Sequence, residues 1–476
     1  MATSNGNTSP YIANAISSHP LLLVISLDGF RADYLDRYKD VTPNLHEIAD
    51  TGIRSPWMEN VFVTKTLPNH QTIATGVYVE SHGIIANRFF DPGLKENFTS
   101  NLPDAKWWDT GPTTPIWILN QQASEDRKSG GMMWPGIKAS FKNQTAFYGV
   151  PYYQRLNKSN IRGDMSKLTD EVISWILNDT NPANLVLLYI PEPDLTGHEF
   201  GPNSEEMGST LYQLDQSIGY LKKSLIDADL YSKLNIIILS DHGMAEVTPE
   251  KIIVLEEILN HSYTTYGESP AYAIYPDPGQ ENFVYETFKN ASIYYNETIK
   301  IYKKEDIPTA FHYKNNNRIP PYLLVAEEGY DILHFEEAKN KTRAYGNHGY
   351  NNSLKSMHAL FIAHGPAFKS GVVVPPVQIV DVYPLMCHIL RLIPERSNGS
   401  LARTVSFLRN PFGLHVTNRW LIGTAEFGII LLLFVCSVLD EYEDANKGNA
   451  AKMLRARQNR SGEENSYLLL TSSTDD

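Results

Sequence analysis

Cysteine is nearly missing from this chain of 476 residues, which holds two. Cys436 lies inside an apolar run, so Cys387 has no soluble partner and disulfides cannot staple the fold. Positive charge is short as well: 41 Lys+Arg stand against 54 Asp+Glu, a net charge of −13. That is the wrong sign for gripping a polyanionic nucleic acid strand. No Gly-x-x-x-x-Gly-Lys-Ser/Thr segment occurs, which excludes a P-loop enzyme. The first twenty residues contain neither Lys nor Arg and no long apolar core, so they do not read as an export signal.

What is present is globular: 42% of the residues are apolar, and the one clear compositional break falls near residue 400. One large domain with appendages is expected. Residues 1–19 form an N-terminal segment, 20–399 the domain, 400–419 a linker, 420–439 a transmembrane helix and 440–476 a cytoplasmic tail. The span from Trp420 to Leu439 carries Glu426 as its single charge, and twenty such residues suffice to cross a bilayer. Arg403, Arg409 and Arg419 before it nearly balance Lys447, Lys452, Arg455 and Arg457 after it, so positive charge does not set the orientation. Asn-X-Ser/Thr triplets do. Eleven precede the span, at Asn7, Asn97, Asn143, Asn157, Asn178, Asn260, Asn290, Asn296, Asn340, Asn351 and Asn398, and they place the domain outside the cell or in a lumen. Export then needs a start upstream, or else the apolar span acts as the anchor in another topology. In the tail, Glu464 to Leu470 is similar to acidic dileucine and tyrosine-based sorting signals, with an adaptor on Glu464–Leu469 as the implied partner.

Within the domain, short apolar runs at Leu21–Leu27, Leu185–Ile190, Asn235–Ser240 and His358–Ala363 read as buried strands, and Lys167–Leu177 and Glu205–Ile226 as helices. The alternation predicts an α/β fold, a mostly parallel central sheet with helices on both faces, whose ligand site lies beyond the carboxyl ends of the strands. Asp28 follows the first run, Asp194 and His198 follow the second in a Pro-Gly loop, and Asp241 and His242 follow the third, where Gly243 can turn the chain so that both reach one ion. His348 stands just before the fourth run. Singly, Asp28 is a helix cap and His348 a surface residue. Together at one sheet edge they form a mixed His/carboxylate set that suits zinc.

Thr66 opens a helical pattern that runs to Gly76, with Pro68 in its first turn. Free N–H groups at such a helix start receive phosphate. Read alone, Thr66 is a capping residue; beside a metal it becomes a nucleophile, because the ion stabilises the alkoxide.

Several ordered segments carry a resemblance. They are Ser26-Leu27-Asp28-Gly29-Phe30-Arg31, Thr64-Lys65-Thr66 with Pro68-Asn69-His70, Glu80-Ser81-His82-Gly83-Ile84 leading to Asn87, and Met133-Trp134-Pro135-Gly136. Glu192-Pro193-Asp194, Gly197-His198, Ser240-Asp241-His242-Gly243-Met244 and Asn347-His348-Gly349-Tyr350 continue the series. Over residues 20–395 the chain resembles the ectonucleotide pyrophosphatase/phosphodiesterase family of the alkaline phosphatase superfamily, and within it the branch with a C-terminal membrane anchor. The resemblance implies an alkaline-phosphatase-like fold and two Zn2+ per chain. One is held by Asp194, His198 and His348, the other by Asp28, Asp241, His242 and the Thr66 oxygen. It also implies that Asn87 joins the Thr66 backbone N–H in an oxyanion pocket, and that a nucleotide or other small phosphodiester is cleaved through a phosphothreonine ester.

Dinucleoside polyphosphates, NAD and nucleoside triphosphates are the expected substrates. A choline or lipid phosphodiester is the alternative, and a catalytically weak receptor or adhesion ectodomain the rival from another class. A sulfatase is excluded, since the Cys/Ser-x-Pro-x-Arg context is missing. In relatives that cleave nucleotides, aromatics sandwich the base. Here the corresponding positions are Leu67 and, in a loose alignment, Leu156 with Tyr153 nearby, so a relaxed or altered base preference is expected.

Overall fold

A computed structural model of the protein describes residues 16–100, 102–152 and 161–410. The span 420–439, the tail, Asn7, Tyr153, Leu156 and Asn157 lie outside the described residues. Among the described residues no helix is long and apolar enough to cross a membrane.

Eight strands make the central sheet: β1 (Leu21–Leu27), β2 (Ile53–Arg54), β3 (Lys128–Met132), β4 (Tyr148–Val150), β5 (Ala183–Ile190), β6 (Leu234–Leu239), β7 (Phe361–His364) and β8 (Val372–Val373). Their order across the sheet is β8-β2-β7-β6-β1-β5-β3-β4. From β6 to β4 every pairing is parallel. The sheet is nonetheless mixed, because β7 pairs antiparallel with both β6 and β2. The fourth apolar run is thus the antiparallel member of a sheet whose other pairings are parallel. The chain is already at the carboxyl edge of the sheet when it leaves His348, so β7 can only run back through it.

Every residue of β1, β5 and β6 is buried, and a strand buried on both faces needs cover on both. Two helical layers supply it. One joins α1 (Pro43–Thr51), α3 (Ile161–Ile176) and α5 (Glu205–Asp227); the other contains α2 (Thr66–Thr75) and a helix at Val382–Leu390. The first layer is pinned by Asp215 of α5. Its carboxylate accepts the backbone N–H groups of Asn44 and Leu45 at 3.1 and 2.8 Å and the Asn44 side chain at 2.7 Å. A carboxylate from one helix thus caps the exposed donors and positive dipole end of another. Asp215→Ala should lower stability by about 1–3 kcal/mol, measured by urea unfolding; an unchanged midpoint and slope would show that water replaces the carboxylate without cost.

Between residues 247 and 345 the chain leaves the sheet to build a second lobe. Four antiparallel strands, Tyr263–Glu268, Ala271–Pro276, Tyr322–Ala326 and Ile299–Lys303, pack with a helix at Glu281–Tyr294 around their own apolar cluster, which includes Ile274, Val284, Phe288 and Leu324. The two connections to this lobe are paired as a short ribbon, with Ala245 opposite Asn347 and Val247 opposite Tyr345.

Candidate active site

The acidic and histidine residues converge where the parallel strands end. Asp28 follows β1 directly, and its N–H donates to the Ile190 carbonyl at the end of β5 at 2.9 Å. Asp241 and His242 follow β6. Gly243 is needed there for space rather than for an unusual turn: a Cβ would lie 1.9 Å from the Ser356 carbonyl oxygen. The Pro-Gly stretch after β5 is a helix, α4 (Asp194–Phe200), instead of a loop. Pro193 fits at its start, and a spacing of four places Asp194 and His198 on one face. His348 is also placed differently from the expectation. It follows the strand Tyr345–Asn347 of the ribbon, thirteen residues before β7, where no long apolar run announces a strand.

Distances divide these side chains into two adjoining groups. Asp194 lies 3.4 Å from the Nε2 of both His198 and His348, and those two nitrogens are 3.0 Å apart. His242 Nε2 lies 3.2 Å from Asp28 Oδ1 and 3.2 Å from Asp241 Oδ2. Donor atoms of Asp194, His198 and His348 fall within 4.8 Å of one another, as do those of Asp28, Asp194 and His242, so Asp194 adjoins both groups.

The imidazoles share one arrangement. Nδ1 of His198 faces the Gly346 carbonyl at 3.0 Å, Nδ1 of His242 the Gly243 carbonyl at 2.9 Å, and Nδ1 of His348 the Thr64 carbonyl at 2.8 Å. A carbonyl only accepts, so each Nδ1 carries the proton and each Nε2 turns a lone pair inward. Ligating histidines are oriented in this way. The carboxylates tell the same story. Asp28 Oδ1, Asp194 Oδ1 and Asp241 Oδ2 are buried without a hydrogen-bond partner. Burial first, and then the neighbouring carboxylates, push Asp28, Asp194 and Asp241 well above the usual carboxylate range. Burial likewise holds His242 and His348 well below the ordinary imidazole value. Facing lone pairs and crowded carboxylates, each with one oxygen left without a partner, are unfavourable until a cation joins them, so the donor set fits metal ions.

Thr66 is the first residue of α2, and the cap position belongs to Lys65. The Thr66 hydroxyl lies 3.4 Å from His242 Nε2. Asn87 accepts the Leu67 N–H through Oδ1 at 2.9 Å, which leaves its Nδ2 donors free of that bond. Thr66, Asn87, His198 and His348 line one cavity of about 380 Å³, together with lobe residues such as Glu268 and Tyr272. Leu67 is wholly buried in the main core and exposes no surface to that cavity.

Sequence reasoning missed several neighbours. Tyr189, near the end of β5, donates its hydroxyl to Asp28 Oδ2. The Lys65 ammonium is buried, donates to the Ser269 carbonyl of the lobe at 2.7 Å, and is pulled below its ordinary value by that burial. His70 sits one turn beyond Thr66. The available signals were polar residues inside otherwise apolar strands, Ser26 in β1 and Tyr189 in β5.

Comparison with known proteins agrees with this geometry. Residues 22–351 match the family described as type I phosphodiesterase / nucleotide pyrophosphatase. The chain is 39% identical over 431 residues to the bis(5'-adenosyl)-triphosphatase enpp4 of Xenopus laevis, covering 89% of each. It is 40% identical over 383 residues to human ectonucleotide pyrophosphatase/phosphodiesterase family member 5, covering 80% of this chain and 76% of that one. A solved structure of the murine family member 5, an inactive threonine-to-alanine variant in complex with AMP, is similar at a TM-score of 0.75 and 39% identity, over 82% of this chain and all of that one. Fold and site thus define an α/β hydrolase of phosphate esters. The chain belongs to the type I phosphodiesterase / nucleotide pyrophosphatase family, and it is an enzyme of that kind.

Proposed function

We propose that the protein is a zinc-dependent hydrolase that cleaves the phosphodiester or pyrophosphate bond of small nucleotides, dinucleoside polyphosphates foremost, through a phosphothreonine ester. The observation that carries this reading is the placement of Thr66 at a helix start, 3.4 Å from the inward-facing Nε2 of His242. Asp194, His198 and His348 would hold one ion, and Asp28, Asp241, His242 and the Thr66 oxygen the other. Zinc supplies a Lewis acid that lowers the pKa of a bound hydroxyl and neutralises charge on phosphate oxygens.

The chain's own groups then do the following. Thr66 Oγ1 gives up its proton to solvent and attacks phosphorus as the bond to the leaving alcohol or phosphate breaks, and the leaving oxygen takes a proton from solvent. The Thr66 N–H at the start of α2 and the Asn87 Nδ2 donors stabilise the non-bridging oxygens in both transition states. Water then attacks phosphorus from the opposite side, the Thr66 oxygen departs and regains its proton, and a nucleoside monophosphate is released. The inactive threonine variant of murine family member 5 with AMP, and the diadenosine triphosphatase name of the frog relative, support the nucleophile and the substrate class.

The proposal extends to location: the catalytic domain faces the cell exterior or a lumen, anchored in the plasma membrane or an endomembrane by residues 420–439. In its support, none of the nine described triplet asparagines before the span is buried. At Asn178 and Asn351, Oδ1 accepts from the N–H and hydroxyl of Thr180 and Ser353 two residues on. That leaves the side-chain nitrogen outside the local turn.

The test is a panel of diadenosine polyphosphates, NAD, nucleoside triphosphates and choline phosphodiesters on the purified protein. Diadenosine triphosphate is expected to lead by about tenfold or more in kcat/KM, a margin equal to about 1.4 kcal/mol of transition-state binding. A choline diester in the lead would transfer the protein to the lipid-type alternative.

A further inference from the structure

His70 is wholly buried and follows Thr66 by one turn of α2. Its Nδ1 lies 2.8 Å from the Thr66 carbonyl oxygen and 3.5 Å from Asp241 Oδ2. Both neighbours are acceptors, so Nδ1 carries the proton. Its Nε2 lies 2.9 Å from the Ser26 hydroxyl, and as the unprotonated nitrogen it accepts that hydrogen. This accounts for a serine in the otherwise apolar β1. Trp134 and Tyr189 meet the ring edge to face at 4.9 and 5.2 Å and wall it in.

From this arrangement we infer that His70 is a positioning residue for the nucleophile: one imidazole, fixed in orientation by Ser26, holds the Thr66 carbonyl and steadies Asp241. Holding the carbonyl of the first helical residue restricts the rotation of the Thr66 backbone, and with it the direction in which Oγ1 leaves the helix start. The same ring stands beside a carboxylate oxygen that otherwise lacks a hydrogen-bond partner, so the nucleophile and the metal group are referred to one rigid support. Groups that orient ligands or reacting atoms without touching substrate affect catalysis through small displacements, and an error of about 1 Å can cost about a hundredfold.

The inference rests on the proposed threonine mechanism, and three variants of the full chain test it. In His70→Asn, the amide nitrogen stands near the place of Nδ1 and can still donate to Thr66. In His70→Gln, the amide reaches towards Nε2 instead. His70→Phe fills the space with no donor. For a base-free chromogenic phosphodiester, the Gln and Phe variants are expected to lose about 10–100-fold in kcat with KM little changed, while Asn stays within about fivefold of wild type. A purely structural role predicts the reverse order, since Phe preserves volume and Asn opens a gap.

Two further readouts do not depend on turnover. Side-chain 15N spectra should show His70 as the Nδ1–H tautomer, and zinc affinity should fall about tenfold in the Phe variant. Wild-type kcat in the Phe variant, an Asn variant as impaired as Phe, or an Nε2–H tautomer would each overturn the role. A wild-type protein that cleaves no phosphodiester would instead overturn the proposed function, and the tautomer and zinc affinity would still decide the case of His70.

Discussion

Thr66→Ala is expected to yield a folded protein that retains most of its bound metal and has lost at least about a hundredfold in kcat. The helix should survive because the cap position belongs to Lys65, and alanine is well tolerated inside a helix start. The hydroxyl also contributes little to stability, since its neighbour His242 Nε2 stands 3.4 Å away, long for a hydrogen bond. What cannot survive is the attacking oxygen, for which a methyl group offers no substitute. Turnover of a chromogenic phosphodiester, circular dichroism and zinc content on the same preparation separate the two effects. Near-normal turnover would reduce Thr66 to the opening residue of a helix.

Metal removal should be as damaging and should depend on pH in a defined sense. In the metal-free protein the carboxyls of Asp28, Asp194 and Asp241 are raised above their unfolded values. For an acid raised on folding, the associated stability is complete below the unfolded value of about 3.9 and drains away as pH climbs through the folded one. Metal acts in the opposite sense, because it competes with protons for the same oxygens and binds more tightly as pH rises. The gap in Tm between metal-loaded and chelated protein should therefore widen from about pH 5 to about pH 8. At a free zinc concentration of about a thousand times Kd the gain is about 4 kcal/mol. Chelation should bring turnover to background and zinc should restore it. A chelator that leaves both Tm and turnover untouched would remove metal from the account of this site.

How much of this was legible depends on what each residue packs against. The strands β1, β5 and β6 could be read directly because every residue in them is buried, and an unbroken apolar run is what such a strand must look like. Their carboxyl ends then pointed to Asp28, Asp194 and Asp241. The direction of β7 left no trace, since a run of apolar residues reads alike in either sense. The lobe was invisible for a related reason: strands such as Tyr263–Glu268 are only partly buried, and β2, β8 and the ribbon are two or three residues long. Asp194 and His198 looked like loop residues because two prolines precede them, although their spacing of four already suited a helix. His70 stood within a segment used to establish the resemblance, yet its role depends on Ser26, 44 positions away, and no local pattern encodes such a partner.

The paired ribbon at the foot of the lobe has a consequence for how sites of this kind can be searched for. Because Ala245 lies opposite Asn347, the chain that leaves the neighbourhood of His242 returns beside its own point of departure, whatever has been spun out in between. Residues could be added to or deleted from the loops of that excursion while His242 and His348 kept their stacked rings 3.6 Å apart. Distance along the chain is thus uncoupled from distance in space at the very place where a signature with fixed intervals would need them tied. A search built on one long pattern must fail on relatives whose excursions differ in length, whereas one built on short words, each anchored to a strand end, would find them.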